Sequence, residues 1–436
     1  MAYKMEGSVE SYSDELSLFY IPPTNVTYEK IQWVEYRPKA PLTDGGGQID
    51  FIIPPSGPQY IDLKRTLLNV KFKVVKSDGT NIDLQDKVAP VNLTLHSMFK
   101  EVQLFMQQKL VSSSNQSYPF KSYLETILDY GTDAKQSWLQ SQGYFKDTAG
   151  QMDETDPLTG GNHGLSERFR RIVPDLGNQV CDLEGTLMLD LCQQTRPIIN
   201  GVELHFKLFP TDNSFILSSA ENGYKLLITE AVMKVCKLTP SPQVIVSHAE
   251  MINQTPAKYP YMKTEIKTAT FTPGQYSIAL TDVFLGKIPS ILIIGLVASE
   301  AYRGNYKKNP FNFHHYFANS IRVSIDDQTI EGKPLQPNYS SNQGNYVEAY
   351  HSLFTSLSSL DKNEGNGITL KDYNQGYTLY SFNLIQSEAH QLPLIKLGNL
   401  KVEIGFKKEL PESVTAILYG KFPSLLEISQ TRSISL

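Results

Sequence analysis

His314 and His315 have the strongest claim in this sequence to bind a metal, because imidazole is the commonest side-chain ligand. Their spacing argues against it. Neighbours on an extended strand point to opposite faces, so adjacent histidines seldom share one ion. None of the eight histidines forms an H-x-H pair, the spacing that puts two on one face. Cys181, Cys192 and Cys236 are odd in number, with no CxxC and no nearby His at a zinc spacing. They read as buried or half-buried free thiols of a reducing compartment. The acidic tract at 153–164 (DETDPLTGGNHG) lacks the D-x-[DN]-x-[DN]-G ladder of a calcium loop, and reads as solvated. Asp326-Asp327-Gln328, between strand-like Val323–Ile325 and Ile330, reads as a hairpin turn.

Other chemistries find as little support. The Gly-Lys pairs at 286–287, 332–333 and 420–421 are followed by Ile288, Pro334 and Phe422, so none is a phosphate-binding loop. Gly365-Asn366-Gly367 lacks the third glycine of a dinucleotide loop, and neither GxSxG nor HExxH occurs. A hydrolytic pair of carboxylates stays open, because geometry rather than spacing defines one. Arg168, Arg170 and Arg171 form the densest basic group, and Lys407-Lys408 a second. Arg168 and Arg171 are expected either to pair with carboxylates at a subunit contact or to touch phosphate. With 40 Lys+Arg against 45 Asp+Glu, a net charge of −5 excludes a protein that coats nucleic acid and leaves at most a weak contact. No catalytic, cofactor-binding or metal-binding residue is assigned.

These residues must be positioned by elements, and composition points to strands. The 436 residues include 24 Tyr and 20 Phe but only 2 Trp, alongside abundant Val, Ile and Thr. The 25 Pro and 28 Gly break the chain into many short pieces. The most apolar stretch, Ile288–Ala298, is far below the ~18 residues of a membrane span. The N-terminus carries acids where a signal peptide needs an apolar run, so synthesis inside the cell is expected. The sequons at Asn25, Asn92, Asn115, Asn253 and Asn338 then read as chance.

Alternation predicts strands at Gln48–Ile53, Thr66–Val75, Glu101–Met106, Leu183–Leu191, Val202–Phe209 and Tyr224–Leu238. Phe120, Tyr123, Leu124, Ile127 and Leu128 follow helical spacing within Tyr118–Gly131, with Gly131 as the C-cap. Residues 132–180 read as a long loop. The second half repeats the order: Gln275–Leu280, Ser290–Ser299, Phe317–Ile325, a helix at Tyr346–Leu357, then strands at Tyr377–Ile385, Leu400–Phe406 and Val414–Phe422. Offsets of 216 (59 to 275), 224 (66 to 290) and 218 (99 to 317) argue for a tandem duplication of one β-fold. Long irregular connections favour Greek-key or jelly-roll barrels. The expected organisation is an arm at 1–30, a first barrel at 31–238 with an insertion at about 110–180, a linker at 239–258, and a second barrel at 259–436 with an insertion at about 331–376.

Several segments also carry a family resemblance. They are Gln32-Trp33-Val34-Glu35-Tyr36, Leu42-Thr43-Asp44-Gly45-Gly46, Tyr60-Ile61-Asp62-Leu63, Leu95-His96-Ser97-Met98-Phe99 with Val102, Lys109–Ser114 and Tyr118-Pro119-Phe120 with Tyr123–Thr126. In the second half they are Phe284-Leu285-Gly286, Lys308–Phe313 and Lys333–Pro337. Taken in order, these resemble the major capsid proteins of Polinton/Maverick elements and the related adintoviruses, over most of residues 14–360. The resemblance implies an all-β double jelly roll with short helices in long insertions, no catalysis and no cofactor. Three copies would form a pseudo-hexameric capsomer of an icosahedral shell. Implied partners are copies of itself, a single jelly-roll penton protein and minor or cement proteins; the implied location is the virion. Inter-subunit contacts are expected from the loops at about 132–180 and 331–345 and from the arm, with the helix stripes at 120–128 and 347–357 as barrel core. The competing reading is a carbohydrate-binding or hydrolytic β-sandwich, whose support is the Tyr content, since aromatic faces stack on sugars.

Overall fold

A computed structural model describes residues 5–42, 47–173, 180–330, 332–340, 344–357, 363–385 and 392–436. The first four residues of the arm, the Thr43–Gly46 part of the resemblance, and 174–179, 331, 341–343 and 358–362 of the expected insertions lie outside the described residues.

Eight strands form the two main sheets of the first half: β1 (Tyr28–Tyr36), β2 (Ile49–Ile53), β3 (Tyr60–Lys76), β4 (Phe99–Met106), β5 (Lys109–Ser113), β6 (Cys181–Thr186), β7 (Leu204–Pro210) and β8 (Tyr224–Pro240). Eight form those of the second: β9 (Ala257–Phe271), β10 (Ser277–Leu280), β11 (Ile291–Ala298), β12 (Ala318–Ile325), β13 (Gln328–Thr329), β14 (Leu379–Asn383), β15 (Leu400–Phe406) and β16 (Val414–Ile428). The first half forms sheets β1-β8-β3-β6 and β2-β7-β4-β5; the second forms β9-β16-β11-β14 and β10-β15-β12-β13. Adding eight to each number of the first pair gives the second pair, and every pairing is antiparallel. This is the jelly-roll order twice over, so the chain is a double jelly roll, as the repeated strand order predicts.

The duplication reaches down to single turns. The β4–β5 hairpin turns at Gln107-Gln108, with φ 48° and 65°; the β12–β13 hairpin turns at Asp326-Asp327, with φ 48° and 64°. Positive φ at both central residues defines the two-residue turn whose twist matches that of the strands. Asp326-Asp327 is thus the turn its spacing predicts. From β1 to β9 the start-to-start offset is 257 − 28 = 229, while from β8 to β16 it is 414 − 224 = 190. The first half's longer insertion between β5 and β6 takes up the largest part of the difference, since the offset falls from 328 − 109 = 219 at β5 to 379 − 181 = 198 at β6.

Each barrel packs apolar side chains between its sheets, as the strict alternation in β7 and β15 requires. Beyond alternation, β11 is buried along nearly its whole length, because its second face is also covered. Gly295 makes that cover close: a Cβ there would sit 2.6 Å from the Phe313 ring.

Helix α1 (Tyr118–Asp129) lies within the first insertion, with Pro119 in its first turn, where a missing N–H costs nothing. Its apolar stripe is buried, as expected for core. Three local expectations need correction. Gly131 has φ −75° and precedes a short helix, Thr132–Gln136; the α1 C-cap is Tyr130, in extended conformation. Residues 132–173 are not a loop: besides that helix they hold a 3₁₀ turn, Trp138–Gln142, and helix α2 (His163–Ile172). Leu165, Arg168, Phe169 and Ile172 form the buried face of α2, a period hidden by its six polar or Gly neighbours. The strand expected at Leu183–Leu191 stops at Thr186, and Asp190–Gln193 is helical. Strands β1 and β9 escape a pattern search because both are sheet edges with few buried residues. Residues 239–258 contain helix α3 (Pro242–Met251), and helix α4 (Val347–Thr355) packs on β14.

Candidate functional site

The densest functional chemistry in the molecule is the seam where the first-half insertion meets the second barrel. Helix α1 inserts an aromatic stack there. The Tyr123 ring lies 4.1 Å from that of Phe311, at 7° to parallel, and Phe120 meets Phe311 edge-on at 5.8 Å. Phe215 and Tyr302 complete the cluster. Parallel and edge-on rings satisfy each other's quadrupoles and exclude water from the joint.

Two charged networks flank this stack. In the first, Lys121 Nζ lies 2.7 Å from Glu125 Oε1 and 3.1 Å from Asp190 Oδ1, and donates to the Met188 carbonyl. Burial opposes the ammonium charge, but the Asp190 and Glu125 carboxylates outweigh it and hold the Lys121 pKa above its usual value. Glu125 also accepts from the Tyr419 hydroxyl (3.0 Å) and from Gln193 Nε2 (2.8 Å), and Asp190 accepts from the Thr264 amide (3.0 Å). Tyr419 and Thr264 belong to β16 and β9, so the ion cluster ties the barrels together. This also answers the question of a carboxylate pair. Glu125 and Asp190 do share a cavity of about 570 Å³. Both are clamped on Lys121 and accept from second-barrel donors, so the arrangement is a brace rather than a poised acid and base.

The second network centres on Asp147. Arg168 Nη2 donates to its Oδ1 at 2.7 Å, with both side chains nearly inaccessible. Asn162 Nδ2 donates to the same oxygen at 2.9 Å, and the Tyr377 hydroxyl to the Asp147 carbonyl at 2.8 Å. Arg168 further donates to the carbonyls of Pro90 and Phe145. It therefore neither reaches another subunit nor touches phosphate, which corrects one expectation. Arg170 is exposed and pairs with Glu167, while Arg171 donates to the Gln140 carbonyl. Lys408 sits over the Phe317 ring, and Lys407 donates to Ser340.

The remaining candidates resolve into structure. His314 faces Asp153 at 4.0 Å, while His315 stacks on Tyr339 and accepts from the Phe317 amide. The two rings serve different neighbours, as their adjacency predicts. Burial lowers both pKa values, that of His315 to about 4. Among the described residues no three potential ligands gather into a metal site. Asp153, in the acidic tract, accepts from the Asn309 amide and Asn312 Nδ2, Asp156 pairs with Lys87, and Asn162 caps α2. The tract is thus a bracket between halves more than a solvated loop. All three cysteines are buried and free, and burial pushes Cys192 up to about 12. Tyr118, Tyr123, Tyr373, Tyr377, Tyr380 and Tyr419 are buried in the core, so much of the Tyr content is packing material rather than a surface for stacking sugars. Asn92, within a sequon, is fully buried.

Sequence reasoning missed the brace residues. One signal was present: Lys121 and Glu125 stand four apart within the apolar stripe of α1, where unpaired charges are not tolerated. Asp147 and Asn309 leave no local trace, because they meet only in three dimensions.

No family model matches the chain. An uncharacterized protein of Caenorhabditis elegans is 25% identical over 430 residues, covering 95% of this chain and 98% of its own. Among solved structures, the Sputnik virophage structure matches with a TM-score of 0.64 at 15% identity, over 98% of this chain and 92% of the other. The mavirus major capsid protein matches at 0.57 and 11%, over 100% and 96%. PBCV-1 VP54, as fitted into a reconstruction of Sputnik, matches at 0.59 and 10%, over 96% and 99%. These similarities extend over the whole chain, so the double jelly roll seen in the strand order is also the fold of these viral proteins. No helix of the described residues is long and apolar enough to cross a membrane.

Proposed function

We propose that this chain is a major capsid protein, which trimerises into pseudo-hexameric capsomers that tile an icosahedral shell. The observation that carries the reading is the pair of barrels with one strand order, locked by a buried seam. Three such bodies around an axis present six similar units, which suit a lattice made mostly of six-fold neighbours. The similarity to virophage and PBCV-1 capsid structures supports the same reading. Barrels at 31–238 and 259–436, joined by 239–258, are the units of that arrangement. The partners are copies of itself, with a single jelly-roll penton protein and minor proteins completing the shell, and the location is the virion. Kinship with Polinton and adintovirus capsid proteins rests on the sequence segments above. The role needs no catalysis, no cofactor and at most weak contact with nucleic acid. Exposed residues of the insertions, among them Trp138, Gly332, Lys333 and Gln336, are the surfaces for subunit contact, since much of 132–172 is spent on the seam.

Light scattering on the size-exclusion peak, then negative-stain microscopy, tests this. Trimers of about three chain masses and hexagonal particles are expected. A persistent monomer at high concentration would sink the reading.

A further inference from the structure

Strand register places the start of β1, the start of β3 and the end of β8 together: Tyr28 pairs with Pro240, and Tyr60 with Leu238. In the second barrel, Ala257 at the start of β9 pairs with Ile428 at the end of β16. These ends lie side by side, since Arg432 Nε donates to the Asn200 carbonyl and Lys109 Nζ to that of Ile434. Between them, against α3, opens an apolar cavity of about 470 Å³. Tyr28, Ile199, Val244, Met251 and Tyr259 are among its walls, and among the described residues its only ionisable groups besides tyrosines are Arg196, His248 and Lys258. No carboxylate of the described residues lines it. The volume is that of a site for a small ligand or for two or three large side chains.

The chain carries a segment of matching character. Residues 5–27 contain Glu6, Glu10, Asp14 and Glu15 but no Lys or Arg. Every one of these residues is exposed, including Leu18 at 76%, Phe19 at 93%, Tyr20 at 83% and Ile21 at 92%. The stretch is not featureless. Ser13 caps a 3₁₀ turn at Asp14–Leu16, and the Tyr20 amide donates to the Ser17 carbonyl. Apolar side chains held in turns and left in water mark a docking element. Pro22-Pro23 stiffens the path back toward Tyr28, and Asn25 closes a side-chain turn on Thr27. The segment is thereby held off the cavity beside which it begins.

We infer that the acidic, aromatic segment Asp14–Ile21 of one copy docks in the Tyr28–Val244–Tyr259 cavity of a second copy. Apolar burial supplies the attraction, and the carboxylates of Asp14 and Glu15 facing Arg196 and Lys258 supply the orientation. The inference rests on the capsid reading only in requiring that copies meet.

Mixing two full-length variants, Phe19→Cys and Val244→Cys, under mild oxidation tests it, with Met251→Cys as a second reporter on the cavity rim. The three native cysteines are buried and do not compete. The expected result is a covalent dimer of the two variants, at least about tenfold above either variant alone and above a Val9→Cys mixture. Adding Arg196→Glu should lower its yield several-fold. Absence of the dimer with both reporters overturns the inference. So does a link that forms only within single chains of the Phe19→Cys/Val244→Cys double variant, which would show that the arm fills its own cavity. Light scattering on the same samples separates the two readings: trimers without the link overturn arm docking alone, and the link without trimers overturns the capsomer alone.

Discussion

Truncating Phe311 to alanine asks whether the aromatic stack is what makes two barrels behave as one body. Phe311 is fully buried and faces Tyr123 at 4.1 Å, with Phe120 and Phe215 edge-on at 5.8 and 6.3 Å. Removing a buried Phe ring costs about 3–5 kcal/mol, a range that includes the cavity left behind. The lost ring contacts place Phe311→Ala at about 4 kcal/mol, in the middle of it. At about 1.4 kcal/mol per factor of ten, the folding equilibrium falls roughly a thousandfold. Against a typical total of about 5–15 kcal/mol, that is a large share. The assay is urea unfolding followed by two probes. Trp33 lies in β1 and Trp138 in the first insertion, so tryptophan fluorescence reports the first half alone, while far-UV circular dichroism reports both. In the parent the two curves should coincide. In Phe311→Ala the midpoint should drop and the curves should separate, with Phe311→Leu in between. An unchanged midpoint with coincident curves would refute the claim that this stack couples the barrels.

Other outcomes follow from the same structure. Arg168→Met leaves Asp147 buried without its cation, and should cost about 3–5 kcal/mol in the same titration; adding Asp147→Asn should recover part of it. Burial lowers the His96 pKa to about 4, while the unfolded chain protonates near 6.5. Between those values the unfolded state binds a proton that the native state refuses, so stability falls as pH drops from about 6.5 to about 4, by at most about 1.4 kcal/mol per pH unit. A His96→Gln variant titrated at pH 7 and pH 5 should show a flatter dependence; an unchanged slope would exclude His96 as its source. Asp327→Gly relieves a residue at φ 64° and should raise the unfolding free energy in the same titration by up to about 1 kcal/mol, with Asp326 kept because it accepts from the Asn399 amide.

The barrels were legible in the sequence to the degree that their strands bury one face. In β4, β7 and β15 apolar residues alternate, and the period shows. In β1 and β9 the sheet edge is exposed, so the period vanishes although the pairing is long. Gln32–Tyr36, one of the segments that carries the resemblance, lies within β1, but nothing in it reads as a strand from alternation. Helix α2 is hidden for a different reason: its buried face includes Arg168, whose charge reads as surface until Asp147 is placed beside it in space. The same holds for the whole seam. A local pattern records what a segment buries, not which distant carboxylate repays that burial.

The seam has a mechanical consequence for any closed shell built from this chain. Interlocked rings and buried ion networks tie the two barrels together, so the seam makes each copy a stiffer tile than two barrels on a linker would be. Curvature, and the local misfit wherever six-fold order gives way to five-fold, must then be absorbed between tiles. The arm is suited to that work, because a tether with a stiff double-proline step can span gaps of unequal width without asking either barrel to bend.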